Sequence, residues 1–115
     1  MNNGTDDIVL DNFHFDAYAF RPKAPRTYEL SVLAGGGISA GSVFASAADA
    51  ITSVGGANSN GAHDDIDIDL TGLADHILAV GESVDLLLAF SGGAGDASGG
   101  HHLFVDNAAL SGTIA

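Results

Sequence analysis

The chain contains no cysteine and no tryptophan, only two prolines and two tyrosines, and three basic residues against 15 acidic ones. Each shortage excludes something. Without cysteine there is no disulfide framework, and redox compartment cannot be read from the count. A formal charge of -12 leaves too few Lys and Arg to displace counterions from a phosphate backbone, so nucleic acid is not expected as a partner. The same balance disfavours an anionic membrane surface. No apolar run approaches the roughly 18 residues that span a bilayer, so membrane insertion is not expected. Met1 opens a polar stretch, Asn2 to Asp7, with neither a basic n-region nor an apolar h-region. If the protein is exported, the sequence is expected to be an excised mature domain.

What is present suffices for a core. Leu, Ile, Val and Phe make up about 27% of the 115 residues, above the roughly 20% below which a charged chain stays disordered. One domain, residues 1–115, is expected. Asp outnumbers Glu 13 to 2, and Asp prefers turns and caps whereas Glu suits helix interiors. The bias points to strands and loops, and is compatible with an extracellular, calcium-rich or salty setting.

Glycine-rich stretches at Gly35-Gly36-Gly37, Gly55-Gly56, Gly92-Gly93 with Gly95, and Gly99-Gly100 separate apolar segments of strand length. The clearest alternation is Asp65-Ile66-Asp67-Ile68-Asp69-Leu70, a strand with its aspartates toward solvent. Tyr28, Leu30 and Val32 alternate with polar neighbours in the same way. Ser83 to Phe90 reads as a buried strand, and Leu103 to Val105 with Ala108 to Ile114 as a strand pair or one long bent strand. Ile8 to Leu10 and Phe13 to Phe20 are two more candidates. In the second, Phe13 and Phe15 share one face and Tyr18 and Phe20 the other, which calls for a bulge near Ala17 or a sheet crossing. Ser42 to Val54 fits either a helix or two short strands, and strands are preferred. The expectation is an all-β chain, a single antiparallel β-sandwich with jelly-roll-like or Ig-like wiring.

Several motifs have ordinary accounts that outweigh the catalytic or metal-binding ones. Gly37-Ile38-Ser39-Ala40-Gly41 matches a nucleophile elbow, and Asp85 or Asp96 with His101 or His102 would complete a triad in chain order. That chemistry needs a mostly parallel α/β sheet, so Ser39 reads as a turn residue. Asp65-Ile66-Asp67-Ile68-Asp69 lacks the Gly and Glu of an EF-hand loop. Ser91 to Asp96 resembles one imperfect calcium nonapeptide, and such repeats act by stacking. His101 and His102 point to opposite faces if they lie on a strand, so a transition-metal site would need His14, His63 or His76 to converge on one of them. Paired carboxylates for glycoside hydrolysis depend on spatial separation, and Asp-rich turns are the simpler account. The chain is therefore expected not to be an enzyme.

The segments Asp67 to Asp75, Leu78 to Val84 and Phe104-Val105-Asp106-Asn107-Ala108-Ala109-Leu110-Ser111-Gly112 resemble secreted bacterial β-sandwich domains of PEP-CTERM (exosortase-sorted) surface proteins. The last is also similar to the closing strand of jelly-roll carbohydrate-binding modules. The resemblance implies an extracellular or cell-surface, non-catalytic binding or adhesion module, with polysaccharide or extracellular matrix as partner and sometimes a structural calcium. The alternative is a self-assembling structural subunit of a surface layer or extracellular fibre, a homo-oligomer.

Three sets of residues follow. Tyr18, His101 and His102 are the expected ligand-binding side chains, being among the few that can stack or donate in a chain without Trp. Asp6, Asp7 and Asp11 are expected to meet Asp106 and Asn107 where the first and last strands pair, a corner able to offer calcium several oxygens. Arg21, Lys23 and Arg26 lie in one loop stiffened by Pro22 and Pro25. They are either a solvated loop or a contact that docks on an acidic face such as Asp65, Asp67 and Asp69 of another copy or another protein.

Overall fold

Phe13, Phe15, Ala17 and Ala19 follow one another at the two-residue period of a strand, and the last three are fully buried. The strand that carries them is the spine of the protein. The structure, a computed structural model, describes residues 1–55, 62–95 and 99–115. Among the described residues there are seven strands and no α-helix: β1 (Ile8–Ala19), β2 (Thr27–Val32), β3 (Gly41–Ala45), β4 (Asp64–Asp69), β5 (Ile77–Leu78), β6 (Leu86–Ser91) and β7 (Leu103–Ile114). β1 pairs with β7 along one side and with β4 and β5 along the other, while β2 lies between β3 and β6. All these pairings are antiparallel. The protein is an antiparallel β-sandwich of a four-stranded and a three-stranded sheet.

Phe15 joins the two layers. Its ring meets Tyr28 of β2 edge to face at 5.3 Å and Phe90 of β6 at 5.9 Å. Leu10, Leu30, Val32, Ile51, Ile68, Leu70 and Leu78 complete the core. The molecule is elongated, 47 × 26 × 22 Å, because β1 and β7 run side by side for their whole length. Its first residues are anchored at one end. Asn2 is buried, donates to the carbonyls of Asp6 and Leu78 at 2.9 Å, and exchanges backbone hydrogen bonds with Gly81 and Glu82.

Two irregularities set which side chains face the core. Leu10 pairs with Gly112 but Asn12 pairs with Ser111, so Asp11 is an extra residue in β1. The core-facing parity thereby changes from Ile8 and Leu10 to Phe13, Phe15 and Ala17. The parity break expected near Ala17 lies at Asp11 instead, and beyond it Tyr18 and Phe20 continue the outer face without interruption. In β7, Asn107 and Ala108 together oppose Phe15, between the pairs His14 with Ala109 and Asp16 with Asp106. Asn107 there has φ 52°, a left-handed conformation that Asn tolerates better than most residues. Gly112 allows close approach of the two strands, since a Cβ at that position would lie 2.5 Å from the carbonyl oxygen of Val9.

Other expectations are adjusted. Ile8 to Leu10 and Phe13 to Ala19 belong to one strand, which ends before Phe20, and the segment Leu103 to Ile114 is also one strand. Of Ser42 to Val54 only the first part is a strand; Ile51 is fully buried, and Val54 forms a lone bridge with Ala19. β6 begins three residues later than Ser83, and Leu87 and Ala89 on it are exposed. It is an edge strand with one face in the core, so its apolar run does not mean burial on both faces. Gly56 and Asp96, the last residue of the calcium-like loop, fall outside the described residues.

Candidate functional site

The outer face of the four-stranded sheet is built in rows, because directly opposed residues of antiparallel strands share a face. Tyr18 of β1 lies beside Phe104 of β7. The next row runs Asp65, Asp16, Asp106 across β4, β1 and β7. It is followed by Asp67, His14, Ala109, and then by Asp69, Asn12, Ser111. The even-numbered residues of β1 after Asp11 and the odd-numbered aspartates of β4 therefore meet on one surface.

Three carboxylates in a row are unfavourable, since like charges directly opposite destabilise a sheet. Hydrogen bonds offset this. Asp16 is buried to 9% exposure, with Oδ1 2.8 Å from His14 Nε2 and Oδ2 accepting from Asn107 Nδ2 at 2.6 Å. The bulge at Asn107 turns that amide inward. His14 Nδ1 lies 2.9 Å from Asp67 Oδ1, which also accepts from Asn12 Nδ2 at 2.9 Å. His63, just before β4, places Nε2 3.0 Å from Asp65 Oδ1 and 3.9 Å from Asp16 Oδ2. The hydrogen bond to Asp67, with a further one to Asp16, holds the His14 pKa above its ordinary value in spite of partial desolvation. The Asn107 amide, with His14 adding to it, holds the Asp16 carboxyl below the ordinary aspartate value. Asp67 is held low by Asn12 and His14.

Beside this polar row stands an aromatic strip. The rings of Tyr18 and Phe104 are nearly parallel, 15° apart with centroids at 6.1 Å, and Phe104 is 52% exposed. Phe20 and His102 each pack within 6.4 Å of Phe104, and the Arg21 guanidinium lies 5.4 Å over the Phe20 ring. Between the strip and the carboxylates a cleft of about 220 Å³ is lined by Asp16, Tyr18, His63, Phe104, Asp106 and Asn107. A second cleft of about 210 Å³, with Ile38, Ser39, Ser42, Leu73 and Asp75 in its walls, has no imidazole, amine or aromatic ring.

Of the expected ligand-binding residues, Tyr18 and His102 come together around Phe104. His101 does not: adjacent residues on an extended chain diverge, and its ring packs against Gly95, where any Cβ would overlap it. The five calcium-corner residues are not brought together either. First and last strands do pair, but the antiparallel register sets Ala115 against Asp7 and Asp106 against Asp16. Asp6, Asp7 and Asp11 are thereby separated from Asp106 by roughly 15 to 30 Å along the strand. Asp7 caps the Val80 amide and Asp11 accepts from Ser111.

The basic loop divides. Arg26 turns inward, donating to the carbonyls of Pro22 and Ile51 at 3.0 Å and lying 3.9 Å from Asp49, so it is a structural residue. Arg21 and Lys23 are exposed. Ser39 and the pair His101 and His102 sit at opposite ends of the sandwich: the loop of Ser39 bonds to Ser83 and Asp85, close to Asn2, whereas His102 bonds to Phe20. Asp96 is outside the described residues. From the sequence His14 and His63 are considered only as metal ligands converging on His101 or His102, and Asp65 as part of an acidic docking face; Asp16 and Phe104 are not singled out as site residues. The available signal was the polar and aromatic alternation Asn12, His14, Asp16, Tyr18, Phe20 opposite that of β4.

Comparison of the chain with protein-family models, with curated proteins and with solved structures finds no match.

Proposed function

We propose that the chain is a non-catalytic extracellular binding module that engages polysaccharide or matrix glycan through the outer face of its four-stranded sheet. The Tyr18 and Phe104 pair carries this reading. A sugar ring has an apolar face of C–H groups and a rim of hydroxyls, and it is held where an aromatic surface adjoins convergent polar groups. Here the nearly parallel rings border Asp16, Asp106, Asn107 and His63. The formal charge of -12 favours neutral or amino-sugar polymers over polyanions. The likeness of Phe104 to Gly112 to the closing strand of carbohydrate-binding modules supports the same assignment. Retention on insoluble neutral polysaccharides and on chitin tests it. Tyr18→Ala and Phe104→Ala should each lower retention about tenfold, as expected for an aromatic hot spot. Equal retention of both variants and the parent on every polymer bound would overturn the reading.

A specific observation favours a second reading, self-assembly into a surface layer or fibre. Among the described residues β7 pairs only with β1, leaving its other edge open. Val105, Leu110 and Ile114 point to the core side yet are 40%, 40% and 72% exposed. Long edges of this kind recruit further strands, here those of a second copy. Sedimentation across a wide concentration range tests it: Leu110→Lys should abolish any association, and a monomer at all concentrations excludes this reading.

A further inference from the structure

Two imidazoles and two carboxylates from separate stretches of sequence converge where β1 meets β4. We infer that His14, His63, Asp16 and Asp65 form a site for one divalent transition-metal ion of the zinc type. The inference goes beyond glycan binding, although Asp16 and His63 also line the cleft beside the aromatic platform.

The donor set selects the metal. Calcium and magnesium take oxygen ligands throughout, whereas two nitrogens with two carboxylate oxygens suit zinc, cobalt or nickel. One ligand atom each from His14, Asp16 and Asp65 lies within 4.8 Å of the other two, and His63 Nε2 adjoins both carboxylates. In a tetrahedral site with bonds of about 2.0 to 2.1 Å, neighbouring ligand atoms are about 3.3 Å apart. Two distances here, 2.8 Å from His14 Nε2 to Asp16 Oδ1 and 3.0 Å from His63 Nε2 to Asp65 Oδ1, are slightly shorter than that edge, and His63 Nε2 lies 3.9 Å from the other Asp16 oxygen, Oδ2. Closure on an ion draws the His14, Asp16 and Asp65 ligand atoms, now within 4.8 Å of one another, to that common spacing.

The surrounding groups act as outer support. A metal-binding histidine commonly gives its other ring N–H to a carboxylate, which fixes the ring and its tautomer. Asp67 holds His14 in this way at Nδ1, and Asn12 holds Asp67. Asn107 occupies Oδ2 of Asp16 and leaves Oδ1 turned to His14. The charge balance points the same way: no Lys or Arg among the described residues forms an ion pair with Asp65, Asp16 or Asp106. An ion seated between Asp16 and Asp65 would offset the repulsion in their row. The cleft lined by Asp16 and His63 gives it a path from solvent.

The test is calorimetric titration of the metal-stripped chain with Zn²⁺, with Ca²⁺ and Mg²⁺ as controls, alongside Co²⁺ titration followed by visible absorption. One Zn²⁺ per chain is expected, with Co²⁺ bands of four- or five-coordinate intensity. His14→Ala and His63→Ala should each lower affinity at least tenfold and weaken the Co²⁺ bands, whereas His76→Ala and His102→Ala should change neither. His63 is exposed, so its variant tests the site without endangering the fold. Absence of Zn²⁺ binding, tighter Ca²⁺ than Zn²⁺ binding, or Zn²⁺ affinity unchanged in His63→Ala would each overturn the assignment. Polysaccharide retention measured on metal-stripped protein keeps the glycan reading separately testable.

Discussion

β1 and β7 are equally long, 12 residues each, and paired throughout, yet they live in different surroundings. β1 has neighbours on both sides and the three-stranded sheet beneath it, and Phe15, Ala17 and Ala19 are fully buried. Among the described residues β7 has one neighbour, and every residue of it after Leu103 is exposed. Both strands carry apolar residues at core-side positions, Leu10, Phe13 and Phe15 on β1 and Val105, Leu110 and Ile114 on β7, so burial here is a property of position in the sheet and not of residue type. The difference assigns them roles. β1 carries stability inward and the His14, Asp16 and Tyr18 row outward, while β7 adds Phe104 and Asn107 to that row and leaves an edge free.

The contrast can be broken by substitution. Phe15→Ala should cost about 3 to 5 kcal/mol, read from urea unfolding, because its ring contacts both sheets. Leu110→Ala on β7 should cost less than about 1 kcal/mol, since much of that side chain is already in water; equal losses would show that β7 is covered. Gly112→Ala is the exception on β7 and should lose about 1 to 3 kcal/mol through the clash with Val9. A smaller effect comes from Asp64, which binds β4 to the backbone amides of Thr52 and Ser53 at 2.9 and 2.8 Å. Burial pushes its pKa up, but hydrogen bonds from Ser53 and Thr52 outweigh that and hold it below the ordinary value. A lowered folded-state pKa gives stability that is fully present above the unfolded value of about 3.9 and is lost as pH falls through the folded value. Asp64→Asn should therefore be less stable than the parent at pH 7, with the gap closing in acid. A gap that does not narrow as pH falls below about 3.9 would assign the effect to something other than this carboxylate.

The alternation of Asp65 to Leu70 and the divergence of His101 from His102 were legible in the sequence, because both follow from the two-residue period alone. Tyr18 and His102, named from the sequence as candidate ligand contacts, both come to lie against Phe104. Which strand lies beside β1 was not legible, since register depends on partners far away in the chain. Without it the Asp65, Asp16, Asp106 row, and the imidazoles that offset it, could not be foreseen. The extra residue at Asp11 and the left-handed Asn107 were hidden for the same reason. Asn2 looked like part of a polar tail, yet its amide is buried because Leu78 and Asp6 offer it carbonyls. Arg26 looked like its neighbours Arg21 and Lys23 until the carbonyls of Pro22 and Ile51 were seen to hold it.

The claim that the outer face of β1, β4 and β7 is the binding surface is tested most directly by NMR titration of the labelled chain with soluble oligosaccharides of the retained polymer. The account predicts that the largest shift changes fall on Tyr18, Phe104, Asp106 and Asn107, extending to His102 along the aromatic strip. Changes confined to the cleft of Ser39, Ser42, Leu73 and Asp75, with the Tyr18 and Phe104 signals unmoved, would contradict it.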